Sequence, residues 1–107
     1  MKKYYMNSIK HKYNAKPQKV DGMHFDSKKE SQYYGNLKIR KQAGEIDFFL
    51  RQVPFHLPGN VTYRLDFMEF HSNGEIHYVD VKGFMTQLAK NKIKQVEALY
   101  PVKIEIK

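Results

Sequence analysis

Two acidic residues and a lysine occupy positions that a β-sheet would bring together. Asp66 lies between apolar neighbours in residues 61–70, a stretch whose β-branched and aromatic content predicts a strand. Asp80 and Lys82 stand two residues apart in a second predicted strand, residues 75–82, and side chains at that spacing project from the same face. A carboxylate inside an apolar strand is costly unless it has a function there. Asp66 and Asp80 are therefore the first candidates for a site.

A predicted turn at Asn73-Gly74 joins these two strands, because Asn-Gly is a strong hairpin signal. Antiparallel pairing around it would place residue 66 near residue 81, beside Asp80 and Lys82. Two carboxylates at one sheet end could hold a hard divalent cation through oxygen and activate a water for attack on a phosphodiester. Lys82 could orient or deprotonate that water, or stabilise charge on phosphorus. The competing interpretation is a solvent-exposed acid and an exposed salt bridge, which would contribute little.

Glu30 is a third acidic candidate with two possible roles. Ser27 to Glu30 fits a capping box, so Glu30 could serve only the start of a helix predicted over residues 26–43. Glu30 also shares a helical face with Leu37. If Leu37 packs on the sheet, Glu30 faces the Asp66 end of it. Both roles stay open at this point.

The elements that would position these residues form one α/β domain. In chain order they are a hairpin at 20–25 with its turn at Asp21-Gly22, a helix at 26–43, strands at 48–53, 61–70 and 75–82, a helix at 84–100 and a strand at 102–106. Pro54 is expected to end the first of the three strands, because proline cannot donate to the ladder. The residues expected in the core are Tyr33, Tyr34, Leu37 and Ile39 on the first helix, and Met85, Leu88, Ile93, Val96 and Leu99 on the second. The order indicates a mixed sheet with helices packed on it.

Composition narrows the class of protein. The 107 residues suffice for one domain, and the absence of cysteine excludes a disulfide scaffold and any thiolate metal site. No apolar run approaches the roughly 18 residues that span a bilayer. We expect a soluble protein of the cytoplasm that does not associate with a membrane.

The net charge of +8 favours a polyanionic partner, with nucleic acid first and an anionic membrane surface second. Residues 1–20 are basic and aromatic and predict an arm, either contacting phosphates or simply solvated, ahead of a domain at 21–107. The candidate phosphate contacts are Lys12, Lys16, Lys28, Lys29, Arg40, Lys90, Lys92 and Lys94. Each could also be an ordinary solvated side chain, and together they predict binding led by the DNA backbone.

Three further polar residues need an interpretation. Gln52, at the end of the first predicted strand, could line the site or could be a polar strand end. Glu69 is expected on the strand face opposite Asp66 and His77 is expected to face away from Asp80, so neither is predicted to serve the site. No pair of histidines has a spacing typical of zinc ligands.

With Glu30 on a first helix, Asp66 in a strand and Asp80-Val81-Lys82 in the next, the chain resembles the PD-(D/E)XK nuclease superfamily. Residues 12–16, 20–22, 25–30 and 80–83 resemble a small phage-encoded branch of it, similar to Holliday-junction resolvases. The resemblance implies a restriction-endonuclease-like domain with an α-β-β-β-α-β core. It also implies Glu30, Asp66, Asp80 and the main-chain carbonyl of Val81 as ligands of Mg²⁺ or Mn²⁺, with Lys82 as the catalytic lysine.

The expected function is therefore a metal-dependent DNA endonuclease, acting as a homodimer on branched DNA such as four-way junctions. If the chain is phage-encoded, it would act in recombination or replication in the bacterial host cytoplasm. The alternative is a nucleic-acid-binding module that keeps the fold without the chemistry. Gln95 and Tyr100 are five residues apart, so the Gln-x-x-x-Tyr element of some exonuclease branches is absent.

Overall fold

The computed structural model describes residues 17–107. The elements in chain order are β1 (Gln18–Val20), β2 (Met23–Phe25), α1 (Lys28–Gln42), β3 (Ile46–Leu57), β4 (Val61–His71), β5 (Ile76–Asp80), α2 (Gln87–Leu99) and β6 (Ile104–Ile106). The predicted α/β class is confirmed. No helix in this part of the chain is long and apolar enough to cross a membrane.

β1 and β2 form the predicted hairpin, with Val20 opposite Met23. Asp21 and Gly22 both have positive φ, 52° and 76°, which is the combination that a two-residue hairpin turn needs. Because β1 begins at Gln18, the last three residues of the segment predicted as an arm belong to the folded domain. Val20 packs against the core under α1, which explains why this end of the segment is held. The candidates Lys12 and Lys16 lie outside the described residues.

The other strands form a four-stranded sheet in the order β3-β4-β5-β6. The first two pairings are antiparallel and the third is parallel, so the predicted mixed sheet is confirmed. α2 provides the crossover from β5 to β6 that a parallel pair requires. β5 ends at Asp80 rather than at Lys82. α2 begins at Gln87 rather than at residue 84, because Thr86 caps the helix by accepting a hydrogen bond from the Ala89 amide.

The two helices cover opposite faces of the sheet. The core under α1 contains Phe25, Tyr34, Leu37, Ile46, Phe67, Val79 and Val81. The core under α2 contains Phe55, Leu57, Tyr63, Leu65, Val96 and Ile104. Val79 belongs to the first core and its neighbour Tyr78 packs against the second, and consecutive strand residues point to opposite faces.

Three residues predicted to lie in the core are exposed. Ile39 on α1 is 67% exposed, and Leu88 and Leu99 on α2 are 65% and 55% exposed. The prediction for them was wrong because each helix touches the sheet along a narrower stripe than the apolar residues suggest. On α2 that stripe is Ile93 and Val96.

β3 runs through Pro54, so the prediction that proline ends this strand was also wrong. Among the described strands, β3 lies at the edge of the sheet and pairs with β4 alone, and Pro54 is exposed. A proline is tolerated on an edge strand where its missing N–H would face solvent.

The strand changes faces just before this proline. Phe49 packs in the α1 core and Val53 in the α2 core, although residues four apart in a regular strand share a face. Gln52, between them, has a φ of +53°. This left-handed residue turns β3 over and lets one long strand contribute to both cores.

Candidate active site

The β4–β5 hairpin brings the two strand acids together. Phe67 pairs with Val79, so continuing the antiparallel register places Asp66 opposite Asp80. The amide of Val81 donates a hydrogen bond of 2.8 Å to Oδ2 of Asp66. The juxtaposition predicted from the Asn-Gly turn is therefore present in the structure.

Asp80 is fully buried and has two partners on one oxygen. The Tyr63 hydroxyl donates to Oδ2 of Asp80, and Nζ of Lys82 lies 3.2 Å from the same oxygen. Oδ1 of Asp80 is buried and accepts no hydrogen bond within residues 17–107. A buried carboxylate oxygen without a donor is costly, so this atom is the strongest local indication that the site holds something more.

Glu30 fills both of the roles that its sequence context allowed. Its amide donates to Oγ of the cap residue Ser27. Its carboxylate is turned toward the sheet and is 3% exposed, with Nη2 of Arg51 at 3.9 Å. Burial raises the pKa of the Glu30 carboxyl to about 7, and the negative charges of Asp26 and Asp80 add to this shift while Arg51 opposes it.

Asp66 shows the same electrostatic pattern more strongly. Burial raises the pKa of its carboxyl, and the nearby carboxyls of Asp80 and Glu30 raise it further, while the hydrogen bond from the Val81 amide opposes the rise. Buried carboxylates that face one another favour protonation. Perturbation of this kind is concentrated at functional sites.

One pocket of about 410 Å³ collects most of the predicted site residues. Glu30, Asp66, Val81 and Lys82 line it, together with residues 26–29, 83 and 84. Asp80 lies behind this wall, in contact with Lys82. The pocket is therefore lined by both carboxylate and lysine side chains.

The predicted phosphate contacts are distributed unevenly around this pocket. Lys28 and Lys29 line it, and Nζ of Lys29 donates to the main-chain oxygen of Lys82 at 3.1 Å. Arg40 is occupied elsewhere, with Nη2 at 2.7 Å from Glu45 and 3.7 Å from Glu69. The three lysines on α2 are Lys90, Lys92 and Lys94, and none of them reaches this pocket.

Gln52, which the sequence left open as a residue lining the site or as a polar strand end, contacts the carboxylates of the site. Its Nε2 lies 3.4 Å from Oε2 of Glu30 and 3.5 Å from Oδ1 of Asp66. A non-glycine residue with positive φ is strained, and such strain is concentrated at functional sites. The sequence does show a polar residue in an apolar strand. The pairing of Arg51 with Phe67 and of Val53 with Leu65 places Gln52 opposite Asp66.

The donor types fit a hard divalent cation, although the structure does not present them as a finished cage. Glu30, Asp66 and Asp80 supply carboxylate oxygens and Val81 can supply a carbonyl oxygen, which are the ligands that Mg²⁺ prefers. A cation here would give the buried Oδ1 of Asp80 a partner and would oppose the burial and repulsion that raise the pKa values of Glu30 and Asp66. Within residues 17–107, no three His, Cys, Asp or Glu side chains are arranged closely enough to hold a metal ion. Binding would require the carboxylates to move together.

A second buried polar cluster surrounds Glu69, three residues further along β4. Oε2 of Glu69 accepts a hydrogen bond from the Tyr33 hydroxyl, and Oε1 lies 2.8 Å from Nε2 of His71. The rings of His71 and His77 are 4.1 Å apart. His77 contacts Glu75 at 2.9 Å and Glu105 at 2.6 Å, and these carboxylates raise the pKa of its imidazole. As predicted, neither Glu69 nor His77 lines the carboxylate pocket.

Comparison with known proteins identifies a family without indicating an activity. The family model described as a protein of unknown function, DUF1064, matches residues 10–106. No curated protein and no solved structure matches the chain. Because the family match spans nearly the whole of the sequence, the chain belongs to the DUF1064 family.

Proposed function

We propose that the protein is a metal-dependent endonuclease that hydrolyses phosphodiester bonds in DNA, with Mg²⁺ or Mn²⁺ as its cofactor. The observation that carries the proposal is the convergence of Glu30, Asp66, Val81 and Lys82 on one pocket, with Asp80 directly behind it. These residues come from a helix start, a strand and the end of the next strand. Ordinary packing does not require three buried carboxylates to face each other.

Each residue has a physical task in this proposal. Glu30, Asp66, Asp80 and the carbonyl of Val81 would hold the cation, which supplies an acidified water and neutralises charge on the phosphate. Asp80 fixes the ammonium group of Lys82 at 3.2 Å, so that the lysine can orient the attacking water or stabilise charge on phosphorus. Gln52 holds the carboxylates of Glu30 and Asp66 in reach of one another.

The substrate class follows from charge and from the resemblance described above. A chain with a net charge of +8 and with Lys28 and Lys29 in the pocket wall is suited to a DNA backbone. The preference for branched DNA, the action as a homodimer and the location in the cytoplasm rest on the resemblance to the phage-encoded resolvases. A twofold dimer would present two such pockets to the two strands of a junction.

The direct test is incubation of the purified chain with labelled four-way junctions, duplexes and single strands, with Mg²⁺, Mn²⁺ or a chelator. We expect nicking that requires the metal and is greatest on the junction. Lys82→Ala should lower the rate by about 10² to 10⁴, the range for loss of a positioned acid–base group.

The matched control is Lys103→Ala, which removes an exposed lysine outside the pocket and should cleave like the parent chain. Thermal melting of both variants separates loss of folding from loss of chemistry. Absence of metal-dependent nicking on every substrate, with the parent chain folded, would refute the proposal.

The non-catalytic DNA-binding module remains a second candidate because one observation favours it. The carboxylates do not form a closed metal-binding group in the part of the chain that the structure describes. This alternative predicts salt-sensitive DNA binding that Asp66→Asn leaves unchanged or improves, since the substitution removes a negative charge. The nuclease proposal predicts that the same substitution abolishes nicking.

A further inference from the structure

We propose that the groove between the start of β4 and the first turns of α2 is a second phosphate-binding site of the chain. It would hold a DNA backbone phosphate next to the one in the carboxylate pocket. The binding itself does not depend on catalysis, and only its position next to a cleaved bond rests on the proposed function. Four observations support it.

The first observation is the groove itself, about 230 Å³ in volume. One wall is residues 62–64, and the other is Thr86, Leu88, Ala89 and Lys92 at the start of α2. Lys82 also lines the groove. Three cationic side chains, Arg64, Lys82 and Lys92, line this small volume. Among residues 17–107 no acidic residue lines it, so every charged side chain in its walls is cationic.

The second observation is that two of these cations have no side-chain partner among residues 17–107. Arg40 pairs with Glu45 and Arg51 lies near Glu30, but Arg64 forms no side-chain ion pair or hydrogen bond with any of residues 17–107. Lys92 likewise has no such partner in that range. An arginine has a planar fork of donors that suits phosphate oxygens, and here that fork is free to bind.

The third observation is the start of α2, whose first turn carries no acidic residue. Thr86 caps only part of this helix end, through the Ala89 amide, and a helix start favours a nearby anion. Leu88, 65% exposed, and Ala89 add an apolar surface to the same groove. A nucleotide presents both a phosphate and an apolar sugar and base, so the groove matches a nucleic acid strand better than a free anion.

The fourth observation is continuity with the carboxylate pocket. Lys82 lines both cavities, and Tyr63 lines the groove while donating to Asp80 behind the pocket. Lys28 and Lys29 line the pocket, and Nζ of Lys29 donates to the main-chain oxygen of Lys82. The two cavities and their cations therefore meet at Lys82, so that a single DNA strand can lie across both.

The first experiment measures binding of fluorescein-labelled junction, duplex and single-stranded DNA in a chelator, so that no cleavage is needed. The test variant is Arg64→Ala with Lys92→Ala. The control is Lys90→Ala with Lys94→Ala, which removes the same charge from α2 outside the groove. We expect the test variant to lose about tenfold in affinity and to lower the slope of log K against log salt by about 1 to 2.

The second experiment locates the phosphate. A strand in which single phosphates are replaced by neutral methylphosphonates should bind the parent chain weakly at one position. At that position the Arg64→Ala, Lys92→Ala variant should show no further loss, because the interacting charge is already absent.

The outcomes separate the two proposals. If the test and control variants lose DNA affinity equally, only total charge matters and the groove is not a phosphate site. Absence of DNA binding by the parent chain would also refute the phosphate site. If binding depends on Arg64 and Lys92 but no substrate is nicked, the phosphate site is supported and the nuclease proposal is refuted. Nicking with unchanged binding by the test variant supports the nuclease and refutes the groove.

Discussion

Two buried polar clusters lie three residues apart along β4, and they are built on opposite principles. Around Glu69, the carboxylate oxygens contact the Tyr33 hydroxyl, His71 and the more distant Arg40. Around Asp66, the neighbours of the carboxylate include two more buried carboxylates, and one oxygen of Asp80 has no donor. The Glu69 cluster balances its charge internally, whereas the Asp66 cluster accumulates negative charge.

The difference shows which cluster serves the fold. The hydrogen bonds and ion pairs of a buried charge offset its desolvation cost at least in part, and removing one partner is expensive because the other is left uncompensated. Buried carboxylates that repel one another reduce stability in the absence of a cation, so their retention needs a reason outside the fold. The strained backbone at Gln52 lies at the Asp66 cluster, which adds to the same conclusion.

The strongest test of the difference between the two clusters is to replace one carboxylate of each cluster by the corresponding amide. Asp66→Asn should lower metal-dependent cleavage by about 10³, the scale of losing a group that stabilises charge in the transition state. Glu69→Gln, an equally buried acid on the same strand, should cleave like the parent chain. Initial nicking rates of both variants on the best substrate are the measurement, and equal losses would remove the distinction between the clusters.

The second prediction concerns stability. Here we expect substitution of Glu69, not of Asp66, to have the larger effect. Glu69→Ala should lower the free energy of unfolding by about 3 kcal/mol, because it removes a buried carboxylate and leaves the Tyr33 hydroxyl and His71 without their partner. Glu45→Ala removes the other carboxylate that contacts Arg40, but from an exposed position, and should change stability little. Urea unfolding in a chelator measures both. If Glu69→Ala lowers the free energy of unfolding only slightly, the Glu69 cluster does not stabilise this part of the sheet.

The third prediction is a pH dependence caused by Glu30. The pKa of Glu30 is about 7 in the folded chain against an ordinary value of 4.5, so the folded state binds the proton more tightly. The free energy of unfolding should therefore decrease as the pH rises from about 4.5 to about 7. The expected decrease is about 3 kcal/mol, at ~1.4 kcal/mol for each tenfold change in proton affinity.

The matching measurement is urea unfolding at about pH 5 and about pH 8 without metal. Glu30→Gln cannot ionise and should lose the share of this pH dependence that Glu30 contributes, while the share from Asp66, whose pKa is raised more strongly, remains. Mg²⁺ should stabilise the parent chain at the higher pH and Glu30→Gln much less. A Glu30→Gln variant with the full pH dependence of the parent chain would contradict the prediction.

The smallest expected effect is at Gln52. Gln52→Gly removes the cost of a positive φ, whereas Gln52→Ala keeps that cost and loses the same amide group. The glycine variant should therefore be more stable than the alanine variant by about 1 kcal/mol. Both should cleave more slowly than the parent chain, because the carboxylates of Glu30 and Asp66 lose a shared donor. Equal stability of the two variants would show that the backbone at Gln52 is not strained.

Local rules in the sequence determined much of the site. The Asn73-Gly74 turn and the alternation along two strands were enough to place Asp66 beside Asp80 and Lys82, since a hairpin turn sets its own register. The Ser27 cap located the start of α1 correctly. The hairpin at β1–β2 and the order of the elements also followed from residues close together in the chain.

Non-local contacts decided what those rules could not. Pro54 could continue a strand only because that strand proved to be at the edge of the sheet. Ile39, Leu88 and Leu99 were assigned to the core by their spacing, but packing against a twisted sheet reaches a narrower stripe of each helix. Arg64 was not predicted to bind phosphate, because the α2 side of its groove is far away in the chain.

The sequence by itself determined which residues could perform the chemistry and which neighbours in a hairpin they would meet, because turn types and strand alternation act over a few residues. Only the tertiary structure decided that the carboxylate of Glu30 turns inward, that Gln52 reaches it, and that Lys82 separates two cavities. Those facts depend on how α1, α2 and the edge strand pack against the rest of the sheet. Packing brings together residues that are far apart in the chain, so local sequence patterns do not determine it.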